Sequence, residues 1–234
     1  MKRTSLSTMA VFVLVMGQIG CEEPQTRRDT RRDKRLETLT KALKSESPAV
    51  GIKAAEALAN MGSQAIGAVD ALLEALGDDN AGLRAHAAVA LGKICRSERD
   101  SREEIPEAVV PALRNSLEDT DGLVRVWSVL ALFRIVPQED PEIKVISDAL
   151  NSEAPAQVRI EAAIAVVQMG PRGKGAVPAL IAALDSSSVR RHAAYALGAI
   201  GPDASAAIGA LTRISGRPGP IGAAARTAIE RISR

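Results

Sequence analysis

The chain has 234 residues, only 2% of them aromatic, and its Lys and Arg outnumber its Asp and Glu by two. That small surplus lies ahead of residue 36, because residues 36–234 hold 22 bases against 24 acids. A near-neutral bulk lacks the broad basic footprint of a nucleic-acid binder, and a chain rich in Ala, Leu, Arg and Glu with few β-branched runs favours helices over strands.

The first twenty residues have the layout of a secretory signal. Lys2 and Arg3 precede an apolar run, Met9 to Met16, too short for a bilayer span of about 20 residues. Gly17-Gln18-Ile19-Gly20-Cys21 follows and resembles the lipobox of bacterial lipoproteins, with Gln18 where that family usually has a Leu-like residue. The resemblance implies lipidation of Cys21 and a membrane-anchored protein of the bacterial cell envelope, facing the periplasm or the exterior. Residues 21–35 carry no apolar side chain to pack, apart from Cys21 itself, and are expected to form a charged linker.

From residue 36 onward one pattern recurs. Six times a branched or large apolar residue is followed eleven positions later by Met or Ile: Val50/Met61, Leu83/Ile94, Val124/Ile135, Val158/Met169, Val189/Ile200 and Ile221/Ile232. Successive starts are 33, 41, 34, 31 and 32 residues apart, so units of thirty-odd residues stack to bury a core that none could bury alone. Each unit contains two helical stretches. The first is clearest in Ala176–Leu184, with Pro178 near its start as Pro111 is near that of Val109–Leu113. The second, clearest in Val189–Ile200, has apolar residues at positions 0, 4, 8 and 11 from its first residue, one helical stripe. Gly62, Gly170 and Gly201 follow position 11, where a helix end favours positive φ. The long 41-residue step contains an insertion, Arg96–Glu104, expected to form a loop.

The motif Val-Arg-x-x-Ala-Ala-x-Ala-Leu-Gly-x-Ile-Gly, preceded by Ala-Val-Pro-Ala-Leu, resembles HEAT repeats and looks most like the short bacterial kind described in phycobilin lyases. Residues 36–234 fit six such units, with Gly51 and Gly222 replacing the motif Arg in the first and last. The resemblance implies an all-α, right-handed α-α superhelix, a HEAT-like solenoid of about six helical hairpins whose second helices line the concave side. Arg84, Arg125, Arg159 and Arg190 recur at one place in successive units, each five or six residues after an acid. The expectation is a structural ladder pairing each Arg with the acidic turn between its helices, with an anion-binding row as the alternative.

Positions 2, 3, 6 and 10 of each second helix lie away from the apolar stripe at 100° per residue. Position 3 holds Lys53, His86, Trp127, Glu161, His192 and Ala224; position 6 includes Val89, Leu130, Ile164 and Tyr195; position 10 includes Lys93 and Arg134. The only Trp, the only Tyr and both His fall on this side, and Trp, Tyr and Arg are frequent interface anchors. The expected partner-binding set is His86, Lys93, Trp127, Leu130, Arg134, His192 and Tyr195. In it Val89, Leu130 and Ile164 form an apolar floor, and Lys93 and Arg134 orient an acidic or carboxylate-bearing protein or peptide. Alternatively Trp127 fills a stacking gap left by Ser128 and Val129.

Catalytic motifs do not stand out. No Gly-rich phosphate loop, Gly-x-Ser-x-Gly elbow or paired-carboxylate constellation is evident. His86 and His192 are each followed by Ala, whereas HEAT-like iron hydroxylases use repeated His-Glu pairs. Cys95 is the one cysteine after the lipobox, so neither an internal disulfide nor a Cys-rich zinc site is expected. A non-catalytic scaffold without cofactor or metal is the leading expectation. Similarity to phycobilin-lyase repeats implies the other reading, chromophore-lyase or chaperone-like activity on a protein substrate, which an export signal opposes.

Overall fold

A computed structural model of the protein describes residues 24–96, 105–151 and 153–234. The expected leader (1–20), Cys21 and residues 97–104 of the insertion lie outside the described residues. The described residues form twelve α-helices and no strand: α1 (Pro24–Leu43), α2 (Pro48–Met61), α3 (Val69–Ala75), α4 (Ala81–Ile94), α5 (Val109–Asn115), α6 (Gly122–Ile135), α7 (Ile143–Ala149), α8 (Ala156–Met169), α9 (Val177–Ala183), α10 (Arg190–Ile200), α11 (Ile208–Ser215) and α12 (Pro220–Ile232). Contacts divide the chain into Met1–Thr38 and Leu39–Arg234. In the first unit the stretch expected to be a linker is helical from Pro24 onward. Its sequence is polar but includes good helix formers with charges of both signs, which suits a solvated helix.

Leu39–Arg234 is a stack of hairpins. The even-numbered helices from α2 to α12 are the second helices of the repeat, 11 to 14 residues long. Three of the first helices (α3, α9 and α11) are entered through a 3₁₀ turn, Gly62–Ala68, Gly170–Ala176 and Gly201–Ala207. Those turns begin at Gly62, Gly170 and Gly201, whose φ values of +57°, +57° and +78° reverse the chain where a Cβ would be strained. The other ends of the second helices are set by side-chain caps in two units. Asn80 accepts from the Leu83 N–H at 3.1 Å, and Asp121 accepts from Leu123 at 2.8 Å.

The core follows the eleven-residue stripe in units two to five, where Leu83, Val124, Val158 and Val189 are all at most 5% exposed and Leu91 and Leu197 are fully buried. Val50 departs from it at 44% exposure, since among the described residues no hairpin precedes the one that contains α2. Position 2 also departs from expectation. Ala85 and Val126 are buried, since a second helix is enclosed by its own first helix and by second helices on both sides. Position 2 closes in these two units alone, since Ile52 and Ile160 are half-buried and Arg191 and Ala223 exposed.

Successive second helices pack along their lengths, whereas successive first helices touch locally. Small residues permit this. A Cβ on Gly92 would lie 2.6 Å from the Ala131 Cα, and one on Gly198 would lie 3.0 Å from the Ala228 Cα. The closer layer is thus the second-helix layer, and it carries the candidate site.

Candidate functional site

The motif arginines are structural, as the ladder expectation holds, but their acceptors differ from those expected. Arg84 Nη1 donates to the carbonyls of Asp78 (2.9 Å) and Asp79 (3.1 Å), and Arg125 Nη1 to those of Asp119 (2.7 Å) and Thr120 (3.1 Å). Arg190 likewise reaches the carbonyls of Leu184 and Asp185. Arg84, Arg125 and Arg190 therefore meet main-chain oxygens left unpaired at the ends of the first helices, where the helix dipole is negative, and Arg84 also reaches the Asp119 carboxylate of the next unit. Arg159 makes no bond to Glu153 and donates instead to the hydroxyls of Ser186 and Ser188 in the following unit. In the last unit a Cβ at position 222 would sit 1.9 Å from the Arg217 carbonyl oxygen, which explains Gly222. Arg226 takes over by donating to the Ser215 carbonyl at 2.6 Å.

On the second-helix face the position-3 residues are joined from unit to unit. His86 places Nδ1 2.8 Å from the Gly82 carbonyl oxygen and Nε2 3.2 Å from Glu56 Oε1. Its ring meets Trp127 edge-on, with centroids 5.0 Å apart and planes at 89°, a geometry worth about 0.5–1.5 kcal/mol beyond area burial. Trp127 Nε1 then donates to Glu161 Oε2 at 3.4 Å, and Gln157 holds the other oxygen of that carboxylate at 2.8 Å. Glu56, His86, Trp127 and Glu161 thus form one polar and aromatic row across α2, α4, α6 and α8. Glu56 and Glu161 were not among the expected binding residues. The signal was available, since they stand at positions 6 and 3 of the first and fourth units.

His192 continues the row less completely. Its Nδ1 is buried without a hydrogen-bond partner, and burial together with Arg191 pushes its pKa down against the opposing charge of Glu161. Tyr195, one turn further on, is 44% exposed. The apolar floor is shallower than expected. Val89 and Ile164 are half-buried, but Leu130 is only 6% exposed, sunk within a helix flanked on both sides, so it offers an edge and no open surface. Trp127 is half-buried against His86, so it both packs and shows an edge to solvent.

At the C-terminal end of the same face, Lys93 is exposed and Arg134 is half-buried, with Arg134 Nη2 donating to Gln168 Oε1. Arg96 joins them one turn beyond Lys93, completing the spacing His86, Val89, Lys93, Arg96; it was missed because it lies past the last apolar residue of the repeat. Two hollows flank Arg96 and Arg134. One, of 390 Å³, is bordered by Asn60, Gly62, Ser63 and Lys93. The other, of 460 Å³, is bordered by Leu130, Phe133, Pro137 and Gln168. His86, Trp127, Lys93 and Arg134 therefore share one face across α4 and α6, whereas His192 and Tyr195 stand on α10, further along it.

Residues 36–132 and 143–230 match the family model described as HEAT repeats. The chain belongs to the HEAT-repeat family. No curated protein matches it. Among solved structures this HEAT-repeat chain is similar to an engineered protein, with a TM-score of 0.60 and 23% identity over 85% of this chain and 96% of that one. It is also similar to a designed armadillo repeat protein in complex with the peptide (KR)4, with a TM-score of 0.58 and 18% identity over 84% and 99% of the two chains. A third likeness is to computationally designed armadillo repeat proteins for modular peptide recognition, with a TM-score of 0.54 and 18% identity over the same shares. These likenesses establish the fold, an all-α repeat solenoid.

Among the described residues of this HEAT-repeat protein no three His, Cys, Asp or Glu converge as metal ligands, and no helix is long and apolar enough to cross a membrane. Cys95 is buried, which pushes its thiol up to about 11, well away from a reactive thiolate.

Proposed function

We propose that the Leu39–Arg234 solenoid is a non-catalytic scaffold that receives a protein or peptide along its second-helix face, tethered to the cell envelope through a lipid on Cys21. The observation that carries the binding reading is the row Glu56–His86–Trp127–Glu161. Four consecutive units hold their outward side chains in one mutually bonded line, so the face is organised before a partner arrives. Pre-ordering of that kind lowers the entropic cost of association. Trp127 and Tyr195 supply aromatic edges, with His86 and His192 beside them. The likeness to designed armadillo proteins that take peptides supports the same use of this layer. The tether rests on the sequence alone, on the apolar leader ahead of Cys21.

Pulldown from a membrane extract with wild type and the Trp127→Ala/Tyr195→Ala variant tests the binding face. Loss of the same captured proteins by a variant that retains its helical signal supports it, and undiminished capture removes the face from consideration. The tether is tested separately: wild type should partition into detergent and Cys21→Ala should not.

A further inference from the structure

Resting on the scaffold reading, we infer that the recess formed by Lys93, Arg96 and Arg134 is the subsite that selects the partner, and that it takes an extended peptide segment in which acidic side chains alternate with apolar ones. The charge arrangement asks for an anion. Arg96, past the C-terminal end of α4, and Arg134 of α6 border both hollows, and Lys93 of α4 borders the first. Among the described residues no carboxylate lies within ion-pair distance of any of them, and the carboxylates of the adjoining row are engaged, Glu56 with His86 and Glu161 with Trp127 and Gln157. Burial, and after it the charge of Arg96, hold the Arg134 guanidinium below its ordinary value, a penalty that a bound carboxylate would relieve. Gln168 supplies Arg134 with one neutral acceptor, which orients the guanidinium without neutralising it.

The shape argues for a peptide over a small ion. The guanidiniums stand between two hollows of 390 and 460 Å³, open to solvent and together running across four successive units, from Asn60 to Gln168. Each is large enough for a side chain or two beyond the carboxylate. The second has a wall built from Phe133, Pro137 and the edge of Leu130, which suits an apolar side chain following the acid. Arg recognises carboxylates through two parallel bonds, so a pair of guanidiniums gives directional as well as electrostatic selection.

The test uses the purified full chain and two labelled, C-terminally amidated octapeptides, alternating Glu-Leu and alternating Lys-Leu, followed by fluorescence anisotropy. The inference requires that the acidic peptide binds more tightly than the basic one. It also requires Arg96→Gln and Arg134→Gln each to weaken binding by about tenfold, and rising salt to weaken it further. Equal affinity for the two peptides, no binding of the acidic one, or undiminished binding by an Arg96→Gln/Arg134→Gln chain that melts like wild type would each overturn it. Full displacement of the peptide by millimolar inorganic phosphate would also overturn it, in favour of a small-anion site. None of these results touches the Trp127- and Tyr195-dependent capture that tests the scaffold reading, so the two can fail independently.

Discussion

The Arg84 guanidinium closes on the Asp119 carboxylate through two bonds of 2.7 and 2.8 Å, joining the second unit to the third. Both side chains are largely withdrawn from water, at 15% and 13% exposure. Asp119 is also tied to its own turn through the Asp121 N–H at 2.8 Å, and Arg84 to the turn of the preceding helix through the carbonyls of Asp78 and Asp79. The pair therefore locks two turns together at the step where the repeat carries its insertion.

Removing one partner leaves the other charge stranded. Asp119→Asn should cost about 3 kcal/mol of stability near neutral pH. The bond from Arg84 holds the Asp119 carboxyl below the usual carboxylate range, outweighing the effect of burial. A depressed acid stabilises the fold fully above the ordinary carboxylate value near pH 4, and that contribution disappears as pH falls through the lower folded-state value. Urea midpoints measured from pH 7 to pH 3 should fall for wild type and fall less for Asp119→Asn. Parallel curves would show that this carboxylate carries none of the acid sensitivity.

Gly92 sits where α4 and α6 approach most closely, and a methyl added there would lie 2.6 Å from the Ala131 Cα and 2.7 Å from its Cβ. Backbone cannot move aside as a side chain can, so Gly92→Ala should destabilise by about 1–3 kcal/mol despite the higher helix propensity of Ala. Gly198 has the same role between α10 and α12 with a looser fit, 3.0 Å to the Ala228 Cα, so Gly198→Ala should cost less. Thermal melts of the two variants rank them. A Gly92→Ala chain as stable as wild type would mean that the two helices separate without penalty.

Much of this architecture was legible in the chain. Val124 and Ile135 repeat with Leu83 and Ile94 because a hairpin must present the same stripe in every unit, and Gly170 and Gly201 stand where the chain reverses with positive φ. The candidate face was legible in outline through Trp127, His86 and Tyr195. What was hidden depends on relations between units, which periodicity within a unit does not encode. Ala85 and Val126 are buried by neighbouring second helices, and Arg84 takes its carboxylate from Asp119, 35 residues on. The helical state of residues 24–35 was hidden for a different reason, since a polar helix without an apolar stripe has no periodic signature.

His192 should make the fold sensitive to mild acid. Burial comes first among the causes lowering its pKa, then the charge of Arg191, while Glu161 opposes both. A histidine held below its unfolded value stabilises the native state above that value, about 6.5, and the contribution is lost as pH falls toward the folded-state value. Its buried Nδ1 has no acceptor to welcome an added proton. His192→Gln should therefore flatten the decline in urea midpoint between about pH 7.5 and pH 5.5. A decline identical to wild type would assign that sensitivity elsewhere.

Cys95 gives a readout of both the fold and the anchor. It follows the last residue of the core stripe, is 3% exposed, and burial alone pushes its thiol up to about 11. At pH 8 the thiolate is scarce and shielded, so a disulfide reagent such as DTNB should modify native Cys95 at least about 100-fold more slowly than the denatured chain. Rapid labelling of the native protein would show that the end of α4 opens readily. The same titration in denaturant counts the thiols that remain. Of the two cysteines in the sequence, a chain lipidated at Cys21 exposes one to the reagent and an unlipidated, uncleaved chain exposes both. A stoichiometry of two for protein extracted from membranes would therefore remove the thioether at Cys21, while leaving the solenoid and its second-helix face intact.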